Sequence, residues 1–294
     1  MHNGSRGGRN WTKKVKTMQA IKYILLVLLW AGYAQAGPVV NEQTGPVSPG
    51  ADFTARQVTE VLYKAVPGVR PDFSGRDLTY LDLAGLDFKG ATLVRADLYG
   101  VDLTAANLSG TDLTEARLDR AVLIRANLSG ANLTGATIYR PTIYTDLAST
   151  LSDAPKFAGA TMRGIRVQAE LSGADFRGAD LTGADFHPLE FRPGQGTLAT
   201  AYRNVFKSCD FSGARLEGAD FRSAVLLFSR FTGADLRHAR FEGADLSRVD
   251  FSGADLTGAD IAGADLDDTN FAGAKGLDTV TGWDSVVNGD KARK

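Results

Sequence analysis

Large apolar residues recur at every fifth position along most of this chain. One run goes from Phe73 to Ile143 without a miss. A second is Leu171, Phe176, Leu181 and Phe186. A third goes from Phe206 to Phe271 with Phe and Leu largely alternating, for 33 such positions in all. Two residues before each stands a small one, usually Ala, as at Ala91, Ala106, Ala131, Ala214 and Ala254. Asp or Asn often lies between, and Ser/Thr-Gly often follows. A period of five fits neither a helix nor a strand, which would scatter these residues around their surfaces. They share one interior only if the chain turns after every five residues. Gly then occupies the turn, where a Cβ is costly.

Segments such as Ala126-Asn-Leu-Ser-Gly130 and Ala254-Asp-Leu-Thr-Gly258 match the pattern A-(D/N)-L-x-x. On these motifs the chain resembles the pentapeptide-repeat family over most of residues 71–274. The resemblance implies an all-β fold, a right-handed quadrilateral β-helix with four repeats per coil. At ~4.8 Å between stacked strands, about eight coils give a solenoid of roughly 40 Å.

A 20-residue coil makes its own predictions. Phe211, Phe231, Phe251 and Phe271 should stack on one side, and Phe221 and Phe241 on the opposite one. Outward charges twenty apart should pair: Glu217 with Arg237, Arg222 with Glu242, Arg248 with Asp268. Cys209 falls at an inward Ala-type position, where it reads as a small core residue.

The pattern breaks twice. Over residues 144–170 the register slips after Ile143 and again before Leu171, although Phe157 and Met162 keep part of it. A distorted coil with a bulging loop is expected over 147–170. The second break, 187–205, holds Pro188, Pro193 and Gly194-Gln-Gly196. Counting fives through it puts Gly196 and Ala201 at large-core positions, which would leave cavities. The break is therefore read as a loop leaving the solenoid. Phe206 then follows Phe186 as the very next side, which puts Phe176 under Phe211 and Phe186 under Phe221. The blocks on either side are 71–146, 171–186 and 206–274.

Residues 54–66 place Val58, Val61, Leu62 and Ala65 at helical spacing, and Pro67-Gly68 ends the pattern. They predict a short helix that caps the first coil, within 54–70. Beyond 275, Leu277, Val280, Trp283, Val286 and Val287 would close the last coil, with residues 291–294 as a frayed tail.

The start of the chain looks like an address. Six basic residues and no acid fall in 1–36. An apolar run over 23–34 is too short to span a membrane as a helix, and Ala34-Gln35-Ala36 precedes Gly37. This is the layout of a secretory signal peptide cut between Ala36 and Gly37; Met18 is an alternative start and an uncleaved anchor the alternative fate. Residues 37–53 read as a linker. The expected location is periplasmic or secreted, with no stable membrane span after cleavage.

Composition narrows the function. Beyond residue 36, 27 basic residues face 34 acidic ones, which disfavours a basic nucleic-acid face. One cysteine rules out a disulfide framework or a Cys-cluster metal site, and three histidines leave little for metal or acid–base chemistry. Each Asp recurs at one repeat slot, so a structural role explains them all. Asp245, Asp255, Asp260 and Asp265 lack the glycine-rich nonapeptide of calcium β-rolls. No phosphate loop, Ser/His/Asp set or HExxH is present. The chain is thus expected to be no enzyme and to carry no catalytic residue, no metal and no cofactor.

The expected function is an exported, non-catalytic scaffold or protein-binding module with a protein partner. Two alternatives stand beside it. One is the family's DNA-mimicking, gyrase-interacting branch, which is cytoplasmic and strongly acidic. The other is an enzyme or polymer-binding site at the 187–205 loop. Candidate partner-surface residues are Ile124, Tyr139, Tyr144, Phe191, Arg192, Tyr202, Leu227 and Phe228, the apolar or exposed positions near the two breaks.

Overall fold

The computed structural model describes residues 51–144, 150–188 and 203–294, within a compact unit spanning 46–294. The signal and linker expectations for 1–50, with Ala36 and Gly37, lie outside the described residues, as do Phe191, Arg192 and Tyr202.

The five-residue period is built from one repeated hydrogen-bond pattern. The large residue donates its N–H to the coil above, as Phe73 does to the Thr92 carbonyl at 2.8 Å. A turn then closes three residues later, where Arg76 N–H meets Phe73 C=O at 3.1 Å. The third turn residue takes a positive φ, as at Gly75 (65°) and Gly85 (68°). The residue before the large one forms a parallel bridge to its counterpart in the next coil.

These bridges line up in four columns. The column from Asp87 through Asn107, Asn127, Lys156, Asp175, Asp210, Arg230, Asp250 and Asn270 to Arg293 spans ten coils. That exceeds the expected eight coils because two stretches read as irregular stack into the ladder. One is 154–170, where Phe157, Met162 and Val167 are buried and Lys156, Thr161 and Arg166 are bridged. Strands β1 (Thr137–Tyr139) and β2 (Arg166–Gln168) pair in parallel there. The expected distorted coil over 147–170 is thus corrected from residue 154 onward: the extra chain is confined to the corner before Lys156.

The other stretch is the carboxyl terminus. Lys275, Thr281, Val287 and Arg293 enter the four columns six residues apart, with 3₁₀ turns at Trp283–Ser285 and Gly289–Lys291. Residues 291–294 are therefore no frayed tail. Phe271 donates its N–H to Arg293 C=O at 2.7 Å, and Lys291 and Arg293 pair with Asp267 and Asp268. Val287 is a bridge residue and 51% exposed, so of the five expected residues Leu277, Val280, Trp283 and Val286 close the core.

At the other end, helix α1 (Ala55–Lys64) covers the first coil. Thr54 caps it: its hydroxyl accepts from Gln57 N–H while the Gln57 side chain accepts from Thr54 N–H. Val58 and Leu62 enter the core, whereas Val61 faces outward. Lys89 Nζ donates to Leu62 C=O at 2.7 Å and ties the helix end to the coil beneath.

The interior holds two aromatic ladders. Phe157, Phe176, Phe211, Phe231, Phe251 and Phe271 stack with centroids 4.6–5.4 Å apart, and Trp283 closes the series edge-on. Phe186, Phe221 and Phe241 form the second. Offset stacking adds about 0.5–1.5 kcal/mol per pair beyond burial.

Of the three expected charge pairs, only Glu217 with Arg237 forms, at 3.0 Å. Arg222 turns to Asp220 at 2.6 Å and Arg240 takes Glu242, while Arg248 lies over the Phe228 ring and Asp268 pairs with Arg293. For Arg222 the carboxylate two residues earlier on the same side lies nearer than the one a coil away.

Candidate functional site

Three register faults meet on one side of the solenoid. Bridges normally join residues 20 apart. Between Asn127 and Lys156 the offset is 29, between Lys156 and Asp175 it is 19, and between Asp175 and Asp210 it is 35. Nine residues are thus added after Thr142, one is lost between Arg166 and Glu170, and fifteen are added between Asp185 and Val205. All three changes fall where the chain enters or leaves one side, the side that begins at Thr142, Glu170 and Val205 on successive coils. Segments more than forty residues apart in sequence converge there.

The convergence breaks the ladder at a single point. Among the described residues, every rung of the four columns is present except that between Thr142 and Glu170. The shortened corner explains the gap: with one residue missing, Glu170 is drawn to its upper neighbour Val205 and away from Thr142. The Glu170 and Ile143 N–H groups and the Pro141 C=O, which this rung would use, have no hydrogen bond among the described residues.

A cleft of about 380 Å³ opens at this gap, lined by Arg140, Pro141, Gln168, Ala169, Glu170, Arg203 and Val205. Gln168 is 6% exposed and lines this cleft. Arg203 donates Nε to Ser223 C=O and Nη2 to Gly243 C=O, which leaves Nη1 unengaged.

One residue that sequence reasoning passed over holds the corner in shape. Asn204 occupies an inward slot where Ala is usual, and it is fully buried. Its Oδ1 accepts Ala169 N–H at 2.6 Å, and its Nδ2 donates to Val167 and Phe186 carbonyls. The signal was present in the sequence, as a polar residue two places before Phe206.

The predicted surface residues group around this side. Tyr139 is in β1 opposite Gln168, half-buried. Tyr144 is half-buried and donates its hydroxyl to Ser172 C=O at 2.6 Å. Burial pushes both phenols above their ordinary 10. Leu227 and Phe228 lie on the same side beyond Val205, and Phe228 is 47% exposed. Ile124 is instead 5% exposed, so it offers no surface.

Chemistry at the site is that of binding groups. Cys209 is buried, with Sγ donating to Leu171 C=O, and desolvation pushes its thiol up to about 12. The consensus aspartates are occupied: Asp245, Asp255, Asp260 and Asp265 accept N–H groups from Ser247, Thr257, Ala262 and Asp267. No group of three His, Cys, Asp or Glu among the described residues has metal-binding geometry. None of the described helices is long and apolar enough to cross a membrane.

The chain matches the Pentapeptide repeats (8 copies) family over residues 72–104, 102–138, 167–187, 205–241 and 234–273. No curated protein matches it. Among solved structures it is similar to HetL of the cyanobacterium Nostoc, a protein involved in heterocyst differentiation regulation. That match has 29% identity over 77% of this chain and 90% of HetL, with a TM-score of 0.32. QnrB1, a plasmid-mediated fluoroquinolone resistance protein, matches at 20% identity over 71% and 92%, with a TM-score of 0.34. A pentapeptide repeat protein of the Arabidopsis thaliana thylakoid lumen matches at 25% over 56% and 93%, with a TM-score of 0.19. With the family matched over more than half of its length and the five-residue ladder running through its described residues, this chain belongs to the pentapeptide-repeat family.

Proposed function

We propose that this protein is an exported, non-catalytic binding scaffold that recognises a protein partner at the side holding the open rung. The coil is a closed, right-handed quadrilateral β-helix, which keeps that side rigid. One observation carries the reading: among the described residues, a ladder continuous on every other rung is interrupted only where a cleft and the exposed ring of Phe228 share one side. An interruption maintained by a dedicated buried residue, Asn204, is a built feature of this fold.

Export rests on the apolar run over 23–34 and the small-x-small cut before Gly37. Cell fractionation with amino-terminal sequencing of the mature protein tests it, and Gly37 is the expected first residue. A photo-crosslinking side chain at Leu227, two coils from the open rung, should trap a partner in the exported fraction, while the same group at Ala84, on the first coil of that side and three coils from the open rung, should not. Equal trapping at both positions removes the binding-face reading. Purified protein should leave gyrase supercoiling unchanged, and inhibition would restore the DNA-mimic alternative.

A further inference from the structure

We infer that Asn288–Gly289 is a self-modification site: the Asn288 side chain deamidates through attack by the Gly289 nitrogen, and the product releases the last coil from the solenoid.

Asn288 is the only asparagine beyond residue 36 that a glycine follows. Asn41, Asn107, Asn127, Asn132, Asn204 and Asn270 are followed by Glu, Leu, Val or Phe. A side chain on the following residue crowds the approach of its nitrogen to the asparagine amide carbon, and glycine removes that obstacle. The coil also leaves the attacking nitrogen free. Elsewhere the Asp or Asn before the large residue accepts the N–H two residues on, as Asp265 does from Asp267 and Asn270 from Ala272. Val287 occupies that slot ahead of Asn288 and has no acceptor to offer. The Gly289 N–H accordingly makes no hydrogen bond among the described residues.

The folded turn holds the reaction back. Asn288 sits at φ 55° and ψ 26°, and its Nδ2 donates to Asp265 Oδ1 at 2.7 Å. Ring closure requires the Gly289 nitrogen to swing over the Asn288 Cβ. The peptide plane after Asn288 must therefore turn, and the 3₁₀ turn Gly289–Lys291 must open. Local openings of this kind are cheapest in an outermost unit, which has a neighbour on one side only. In the open state base removes the Gly289 amide proton. The nitrogen forms a bond to Asn288 Cγ, and the Cγ–Nδ2 bond breaks as ammonia leaves. Water then opens the cyclic imide at either carbonyl, giving aspartate or isoaspartate.

The product does not fit back. Where Nδ2 donated, a carboxylate now faces Asp265, and like charges opposed across neighbouring strands are destabilising. Isoaspartate also adds a methylene to the backbone, within a side whose six residues carry the chain from Val287 to Arg293. That side holds the bond from Phe271 N–H to Arg293 C=O and the pairs of Lys291 with Asp267 and Arg293 with Asp268. Its release bares the edge of the coil below, and an unpaired edge is a template for another chain. The change runs one way: the fold slows it, and once made it keeps the coil from closing.

The test is ageing of the mature full-length protein in mildly alkaline buffer, read by mass spectrometry of the tryptic peptide 276–291 and by amide exchange. Asn288 should turn from amide to acid at least about tenfold faster than Asn107 or Asn270 in the same sample, with isoaspartate among the products. The aged protein should exchange the Phe271 amide at least about fivefold faster than fresh protein, with Phe211 unchanged. Gly289→Ala keeps Asn288 and crowds the attack; the added Cβ would lie 2.7 Å from Val286 Cγ2, a side-chain methyl that can move. It should remove both the mass gain and the ageing effect at Phe271. Asn288→Asp supplies one product directly and should speed exchange at Phe271 without ageing. The inference is overturned if Asn288 ages no faster than Asn107. It is equally overturned if deamidated protein and Asn288→Asp both keep the fresh parent's exchange at Phe271.

Discussion

The ring of Phe176 lies parallel to that of Phe211, with centroids 4.7 Å apart and planes 1° from parallel, although 35 residues separate them. Neighbours in this ladder are normally 20 apart. The stack therefore makes Phe186 and Phe206 belong to consecutive sides, with fifteen more residues between them in sequence than the five-residue repeat supplies. Deleting residues 189–203 restores a five-residue step from Phe186 to Phe206. The deleted protein is expected to keep its near-ultraviolet circular dichroism, with a thermal midpoint within about 5 °C of the parent. Loss of the aromatic signal would mean that the added residues are needed to build the core.

That phase was legible before any coordinates, because each side contributes its large residue at a fixed step and a wrong step leaves a cavity. The period, the ladders, the helix ahead of the first coil and the inward Cys209 could be read for the same reason. The carboxyl-terminal coil could not, since its sides are six residues long and its slots are inverted. Val280 and Val286 stand where Ala is usual, and Gly276, Gly282 and Asn288 where a large residue is usual. The open rung was half legible. A slip before Leu171 showed in the spacing, but the side on which it falls depends on the nine residues added earlier, and only stacking reveals that both faults share a side.

Asn204 separates consensus reasoning from structural reasoning. The repeat pattern recommends Ala at this slot. The structure predicts that Asn204→Ala destabilises the protein by about 2–4 kcal/mol, because it strands the buried Val167 and Phe186 carbonyls and the Ala169 N–H together. Chemical denaturation measures the loss. An unchanged midpoint would show that water replaces the amide and that Asn204 does not hold the corner.

Gly282 leads into the 3₁₀ turn Trp283–Ser285 with φ at 89°, pressed flat on the coil below. A Cβ there would lie 2.3 Å from Ala262 N and 2.5 Å from its Cα. These are backbone atoms of a packed coil and cannot swing aside. Gly282→Ala should cost more than about 2 kcal/mol and loosen the terminal coil first. Amide exchange at Phe271, which donates to Arg293 C=O, should accelerate before exchange at Phe211. Uniform acceleration along the solenoid would contradict a local terminal effect.

The aspartates of the repeat make the fold acid-sensitive in a defined direction. At Asp235 the hydrogen bond from the Arg237 guanidinium is the largest influence and holds the carboxyl below its ordinary 3.8. At Asp250 burial pushes the other way, but donations from the Ser252 hydroxyl and N–H, Thr232 and Asn270 outweigh it. Asp175, Asp180, Asp220 and Asp255 are lowered as well. A carboxyl whose folded pKa lies below its unfolded one binds fewer protons when folded, so its contribution is complete above pH 3.8 and is lost as the pH falls through the folded value. The thermal midpoint should be flat near neutrality and drop below about pH 4. Asn already fills the same slot at 107, 127, 132 and 270, and there its Oδ1 accepts the N–H two residues on. Asp250→Asn should therefore preserve the turn at pH 7 while shrinking the acid-induced drop. If the variant instead loses stability at neutral pH and keeps the parent's full acid sensitivity, the charge at this slot is not what couples folding to protons.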